Sequence, residues 1–180
     1  VEGFKDDRIC YHFIGENLGI SGNTNKALEM ATGDWIVLCD HDDLLVPNAL
    51  YEFADRITKD PEIDSIYSDE DKIDETGKKL FEPHFKPDFN IDMLRSNNYI
   101  CHLYGVRKEL VDRVGKFNSQ FDGAQDYDFI LRMSENSRKV GHVAKILYHW
   151  RTHINSTAAN PESKMYAFKA GAEAIKAHYA

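Results

Sequence analysis

The stretch Trp35-Ile36-Val37-Leu38-Cys39-Asp40-His41-Asp42-Asp43 constrains this chain more than any other. Five apolar residues, with Gly33 before them and a polar cluster after, predict a short strand buried on both faces of a sheet. The strand ends on three carboxylates within four positions. Left alone, Asp40, Asp42 and Asp43 repel one another and push a proton onto at least one of them, because like charges disfavour the ionised form. A hard divalent cation removes that cost. Carboxylate ligands with positions left open for water or phosphate suit Mg²⁺ or Mn²⁺ better than Zn²⁺. The other reading is a solvated turn that happens to be acidic. The carboxyl ends of strands are where open α/β sheets bind their ligands, which favours the cation.

The neighbouring segments supply an α/β unit around that strand. Residues 9–14, aromatic and β-branched, predict a strand. Gly15, Gly19 and Gly22 then punctuate a turn, and apolar positions 27, 28, 30 and 31 predict a helix over 23–31 that closes near Gly33. Strand, turn, helix and strand make a βαβ unit. The glycines either cradle a phosphate at the helix N-terminus or only turn the chain. Gly-x-Gly-x-x-Gly is absent, which argues against a nicotinamide or flavin site.

Beyond the carboxylates, Pro47 is expected as the first residue of a helix whose positions Leu50, Phe53, Ala54 and Ile57 keep helical spacing to Lys59. A strand is predicted over 63–67, and an acidic surface turn around Gly77 over 68–77. That turn is not an EF-hand, because Ile73 occupies a ligand position and the closing Glu is missing. Residues 81–89 should run extended around Pro83 and Pro87. A short helix over 91–96, a strand over 99–106 and a helix over 109–114 closed by Gly115 follow. Asp126 falls in the first turn of an amphipathic helix, where the dipole favours a carboxylate facing a cleft; a plain N-cap explains it equally. Apolar runs at 140–143 and 146–150 and a helix over 161–179 complete the reading. His149 and His153 are not a zincin pair, since no Glu follows His149.

A chain of 180 residues fits one domain, 1–180, and a net charge of −8 without a long basic run excludes electrostatic binding of nucleic acid. Membrane association is expected to be peripheral at most, since no apolar run approaches a span. Cys10, Cys39 and Cys101 lie far apart in apolar runs and are expected as reduced core residues of an intracellular, cytoplasmic protein.

Together these motifs resemble a known family. Asn17-x-Gly19 and Asn25 ahead of a helix, Gly33-Asp34-Trp35, and Asp40-His41-Asp42-Asp43 with Pro47 are similar to the centre of a family-2 glycosyltransferase. Tyr67-Ser68-Asp69-Glu70-Asp71, Phe85-Lys86-Pro87-Asp88, Gln125-Asp126-Tyr127-Asp128 with Arg132, and Tyr148-His149-Trp150-Arg151 with His153 and Ser156-Thr157 resemble bacterial members that build O-antigen and similar surface polysaccharides. The resemblance implies the A-type glycosyltransferase fold: α/β, a mostly parallel central sheet flanked by helices. It implies transfer of a sugar from a nucleoside diphosphate sugar to a hydroxyl of a glycan or lipid-linked glycan acceptor, with inversion. On that reading Asp40 and Asp42 hold Mn²⁺ or Mg²⁺, His153 reaches the same metal or the diphosphate, Asn25 and Asp40 contribute to cofactor binding, and Asp126 is the catalytic base. Gln125 stands where many relatives carry Glu. The family's first strand, helix and strand, which hold base and ribose, are expected to be missing before Val1.

Two other functions compete. A strand ending Asp-x-Asp resembles the nucleophile motif of haloacid-dehalogenase-type phosphatases, with Asp40 as nucleophile and Asp42 as acid, although Leu44 stands where that motif has Thr or Val. A non-catalytic sugar- or nucleotide-binding module is the other.

Overall fold

A computed structural model describes Gly3, residues 5–152 and residues 161–179, with 161–164 given by their backbone alone. Along the chain the elements are α1 (Gly19–Met30), β1 (Trp35–Leu38), β2 (Leu44–Leu45), α2 (Ala49–Lys59), β3 (Ser65–Ile73), β4 (Leu80–His84) and α3 (Ile91–Ser96). They continue with β5 (Tyr104–Arg107), α4 (Lys108–Val114), a 3-10 turn (Ser119–Phe121), α5 (Gln125–Asn136), β6 (Val140–Arg151) and α6 (Pro161–His178).

The strands form one sheet in the order β1-β5-β3-β6-β2, with β4 also on β3. Side chains on successive residues of a strand point to opposite faces, and the core divides accordingly. Ile36, Tyr67, Tyr104 and Val106 pack with residues of α1, α3, α4 and α5 on one face. Ile66 and Leu147 pack with Ala49 and Phe53 of α2 on the other, with Trp35 and Val37 against them. Phe129 of α5, fully buried and stacked on Phe117 at 4.3 Å, contributes about 2–3 kcal/mol by leaving water.

β1, β3 and β6 run in one direction, as a parallel sheet requires. β5 lies between β1 and β3 antiparallel to both, so the sheet is mixed, and β3 against β6 is the one parallel ladder among the described residues. The reason is the path of the chain. After β3 it passes through β4 and α3 and re-enters at Tyr104 opposite Tyr67, from the end at which β3 leaves, without the crossover a parallel neighbour needs.

Other expectations shift for similar reasons. Residues 9–14 take no regular structure, with Tyr11 62% and Phe13 76% exposed, because no strand among the described residues pairs with them. α1 begins at Gly19 rather than 23, since the Asn17 carboxamide oxygen accepts from Gly19 N at 3.0 Å and from Asn23 Nδ2 at 3.1 Å. Pro47 precedes α2 instead of opening it, and Asn48 is the cap residue. The strand expected over 63–67 extends to Ile73, and the two apolar runs after 140 are one strand, whose two register shifts leave Ala144, Lys145 and Leu147 outside the pairing with β3. Cys10 and Cys39 are exposed and Cys101 half-buried, all three free, so they are not core residues: Cys39 lies just past the end of β1 and Cys10 in the irregular segment. Among the described residues no helix is long and apolar enough to cross a membrane.

Candidate active site

The centre of the site is β3. Its Asp69, Glu70 and Asp71 are buried, and a buried charge needs a partner to offset its lost hydration. Each meets a histidine: His142 Nε2 at 3.0 Å from Asp69 Oδ1, His102 Nδ1 at 3.2 Å from Glu70 Oε2, and His149 Nδ1 at 2.5 Å from Asp71 Oδ1. Lys86, whose side chain has no exposure, lies 3.4 Å from Glu70 Oε2. Its ammonium also donates to the carbonyls of Ile100, at 2.6 Å, and His102. Burial lowers the Lys86 pKa against the opposing charge of Glu70. For Glu70 burial acts upward, but the hydrogen bond from His102 and the charge of Lys86 outweigh it and hold the carboxyl below its usual value.

Residues 40–43 form a turn just past β1, in which Asp43 N–H donates to Asp40 O at 3.4 Å. The end of β6 holds this turn. Leu44 and Leu45 pair with His149 and Tyr148, Arg151 N donates to Asp43 Oδ1 at 2.7 Å, and Arg151 Nε donates to Asp42 O at 2.6 Å. The Tyr148 hydroxyl donates to Asp43 Oδ2 and accepts from Asp40 N at 3.2 Å. Burial raises the Asp43 carboxyl, partly offset by that Tyr148 bond.

The turn puts Asp40 and Asp43 on one side, where one ligand atom from each and one from His102 lie within 4.8 Å of one another. His102 Nε2 is 3.8 Å from Asp40 Oδ2. Two carboxylate oxygens and an imidazole nitrogen that converge in this way fit a divalent cation of the Mn²⁺ or Mg²⁺ type. The set differs from the one expected. Asp42 is not in that group; its carboxylate is 3.9 Å from His41 Nδ1, and it lines the same cleft as Asp40. His153 lies outside the described residues. Asn25 has its amide engaged at both ends with the Phe117 backbone, donating to O at 2.9 Å and accepting from N at 3.0 Å, which joins α1 to the segment before α5.

Asp126 opens α5 and accepts from Asn98 Nδ2 at 3.0 Å. Burial raises its pKa, the Tyr127 backbone N–H and the charge of His102 oppose that, and the charge of Asp40 adds to it. Asp126 and the acidic turn therefore share one electrostatic environment, with His102 in common. Two clefts border these groups. One of about 820 Å³ runs between α1 and β1, from Asn23 and Thr24 to Asp40 and Asp42. The other, about 480 Å³, has Asp126 in its wall with Asn97, Asn98, Tyr127, Phe168 and Ile175.

Comparison with known proteins identifies the family. The model of glycosyl transferase family 2 matches residues 1–115. The chain belongs to that family. It is 44% identical to protein y4gI of Sinorhizobium fredii over 98% of its length, and 38% identical to the O-antigen biosynthesis protein RfbC of Myxococcus xanthus over 87%. It spans only 20% and 12% of those relatives. The solved structure of S. aureus TarS 1–349 with UDP-GlcNAc superposes with a TM-score of 0.62 at 17% identity, covering 87% of this chain and 46% of that one, a likeness of fold. Family membership removes the phosphatase alternative. Within this family-2 domain, sequence reasoning singled out Asp40 and Asp126 but gave no role to His102, Glu70, Lys86 or Tyr148. The signal was present in part: Glu70, Lys86 and Tyr148 stand in motifs that carry the resemblance, while His102 stands in none.

Proposed function

We propose that this domain belongs to an enzyme that transfers a sugar, with inversion and with help from Mn²⁺ or Mg²⁺, from a nucleoside diphosphate sugar to an acceptor hydroxyl in surface-polysaccharide synthesis. The observation that carries the reading is the convergence of the acidic turn, His102 and Asp126 between two clefts. Asp40, Asp43 and His102 would hold the cation, with Asp42 and His153 as the further candidates from the sequence. A bound cation would neutralise charge on the departing nucleoside diphosphate. The TarS structures in complex with UDP and UDP-GlcNAc support a donor of this class, and the likeness to the O-antigen biosynthesis protein RfbC supports the pathway.

Asp126 is the general base in this reading. Inversion requires the acceptor hydroxyl to attack opposite the leaving group, and a carboxylate on that side takes its proton as the bond forms. The apolar wall of the smaller cleft, Phe168 and Ile175, suits an acceptor that presents an apolar face beside its hydroxyl. In the full-length protein, assayed with a panel of nucleotide sugars and Mn²⁺, Asp126→Asn should lower kcat by roughly 10²-fold or more while donor affinity changes little. Transfer within a few-fold of wild type at saturating donor would show that Asp126 is not the base.

A further inference from the structure

We propose that Glu70, held by the buried ammonium of Lys86, is the positioning residue that fixes the imidazole of His102, with hydrogen on Nδ1 and Nε2 turned to the acidic turn, so that His102 is the third ligand of the cation. The proposal rests on the cation reading given above.

Glu70 Oε2 decides which ring nitrogen carries the hydrogen. That oxygen receives the His102 backbone N–H at 3.1 Å, and a backbone N–H can only donate. Lys86, a donor without a lone pair to offer, lies 3.4 Å from the same atom. Nδ1, at 3.2 Å, therefore faces an acceptor and must be the donating nitrogen. In the neutral ring this leaves the Nε2 lone pair directed at Asp40 Oδ2, 3.8 Å away, with Asp43 in the same group. Lone pairs do not face one another without a positive charge between them, so the space suits a proton or a metal cation.

The ring has little freedom to turn away. It stacks on Tyr148 with centroids 4.8 Å apart and planes 8° from parallel, and Trp150 lies 5.8 Å off. The backbone that carries the ring is held as well. Cys101 takes φ of 40°, a conformation that costs a non-glycine residue energy and persists only where its surroundings impose it. Lys86 supplies the restraint by donating to the carbonyls on either side, those of Ile100 and His102. One buried ammonium thus ties down both the carboxylate that orients the ring and the turn that presents it. A carboxylate behind a histidine ligand is the usual arrangement in metal centres, where it fixes the tautomer and raises the basicity of the ligating nitrogen. His84, 3.5 Å from Glu70 Oε1, faces the other oxygen and leaves Oε2 to His102.

The test combines the imidazole ¹⁵N shifts of His102 in the metal-free full-length protein, at a pH where the ring is neutral, with the Mn²⁺ affinity measured by calorimetry. Wild type should carry hydrogen on Nδ1. Glu70→Ala should move the hydrogen to Nε2, the tautomer that free imidazole side chains prefer, and weaken Mn²⁺ binding about 10- to 100-fold. Glu70→Gln, which keeps an acceptor oxygen in place, should restore the Nδ1 tautomer and most of the affinity; a purely structural ion pair with Lys86 would not be rescued this way. Hydrogen on Nε2 in the neutral wild-type ring overturns the proposal, as does Glu70→Ala with tautomer and affinity unchanged. If Glu70→Ala does not fold, His102→Ala leaves the Glu70 and Lys86 pair intact, and Mn²⁺ affinity equal to wild type overturns the ligand role. Wild type with the Nδ1 tautomer but no Mn²⁺ binding would instead overturn the cation reading, and the ligand role with it, while Glu70 would still be shown to orient the ring.

Discussion

As the proposed general base, Asp126 would combine a catalytic requirement with a cost to folding. Burial lifts its carboxyl above the ordinary value, which makes it a better base near neutral pH. The group must be ionised to act, so turnover falls as pH drops through the raised pKa. The acid limb of the kcat profile should therefore lie above the ordinary Asp value of about 3.9, and a limb at that value would contradict the assignment. The same shift has a sign for stability. A folded-state pKa above the unfolded one means that stability is lost as pH rises through the window between them, and the penalty is fully present above the folded-state pKa. Asp126→Asn should remove it and raise Tm at pH values above that window. An unchanged or lower Tm by calorimetry would contradict the burial argument. Asp40 and Asp126 were legible in the sequence because each adjoins a strong local signal, the end of an apolar run and the start of an amphipathic helix. Glu70 and His102 were not, since what gives them a role is a contact between residues 32 positions apart.

At the scale of elements, β3 shows why such a contact goes unread. Ser68-Asp69-Glu70-Asp71 has the composition of a solvated turn, yet it is the middle of the central strand, buried because His102, His142, His149 and Lys86 come to it from other segments. Helices α3, α4 and α5 were readable near their bounds because period and capping are local. The direction of β5 was not, because an apolar run looks the same whether it pairs parallel or antiparallel. Gly105 on β5 offers a test of the packing that β5 allows. A Cβ there would stand 3.1 Å from Ile66 Cγ2 and 3.2 Å from Phe53 Cε2, so Gly105→Ala should overpack the α2 face and cost about 1–3 kcal/mol in denaturant unfolding. No loss would mean that α2 sits farther from the sheet. On β6, Tyr148→Phe keeps the ring stack on His102 but removes the hydroxyl shared by Asp43 and Asp40 N. It should cost about 1–2 kcal/mol and weaken Mn²⁺ binding; full stability and full affinity would show that the Tyr148 hydroxyl does not hold the turn.

Across the whole molecule, helices on both faces of a mixed sheet leave the carboxylate-bearing end of β1, the loop before β5 and the start of α5 at one edge. In a chain with net charge −8, a cation held at this convergence would offset the repulsion between the acidic turn and an anionic diphosphate. If the acidic turn binds a nucleoside diphosphate through a divalent cation, calorimetric titration of UDP, GDP and TDP into the full-length protein, with Mn²⁺ or with a chelator present, for wild type and Asp40→Asn, will show it. At least one of the three should bind wild type with Mn²⁺, and chelation or Asp40→Asn should weaken this binding by about 10-fold or more. Nucleotide affinity equal with and without the cation, or unchanged in Asp40→Asn, would contradict it.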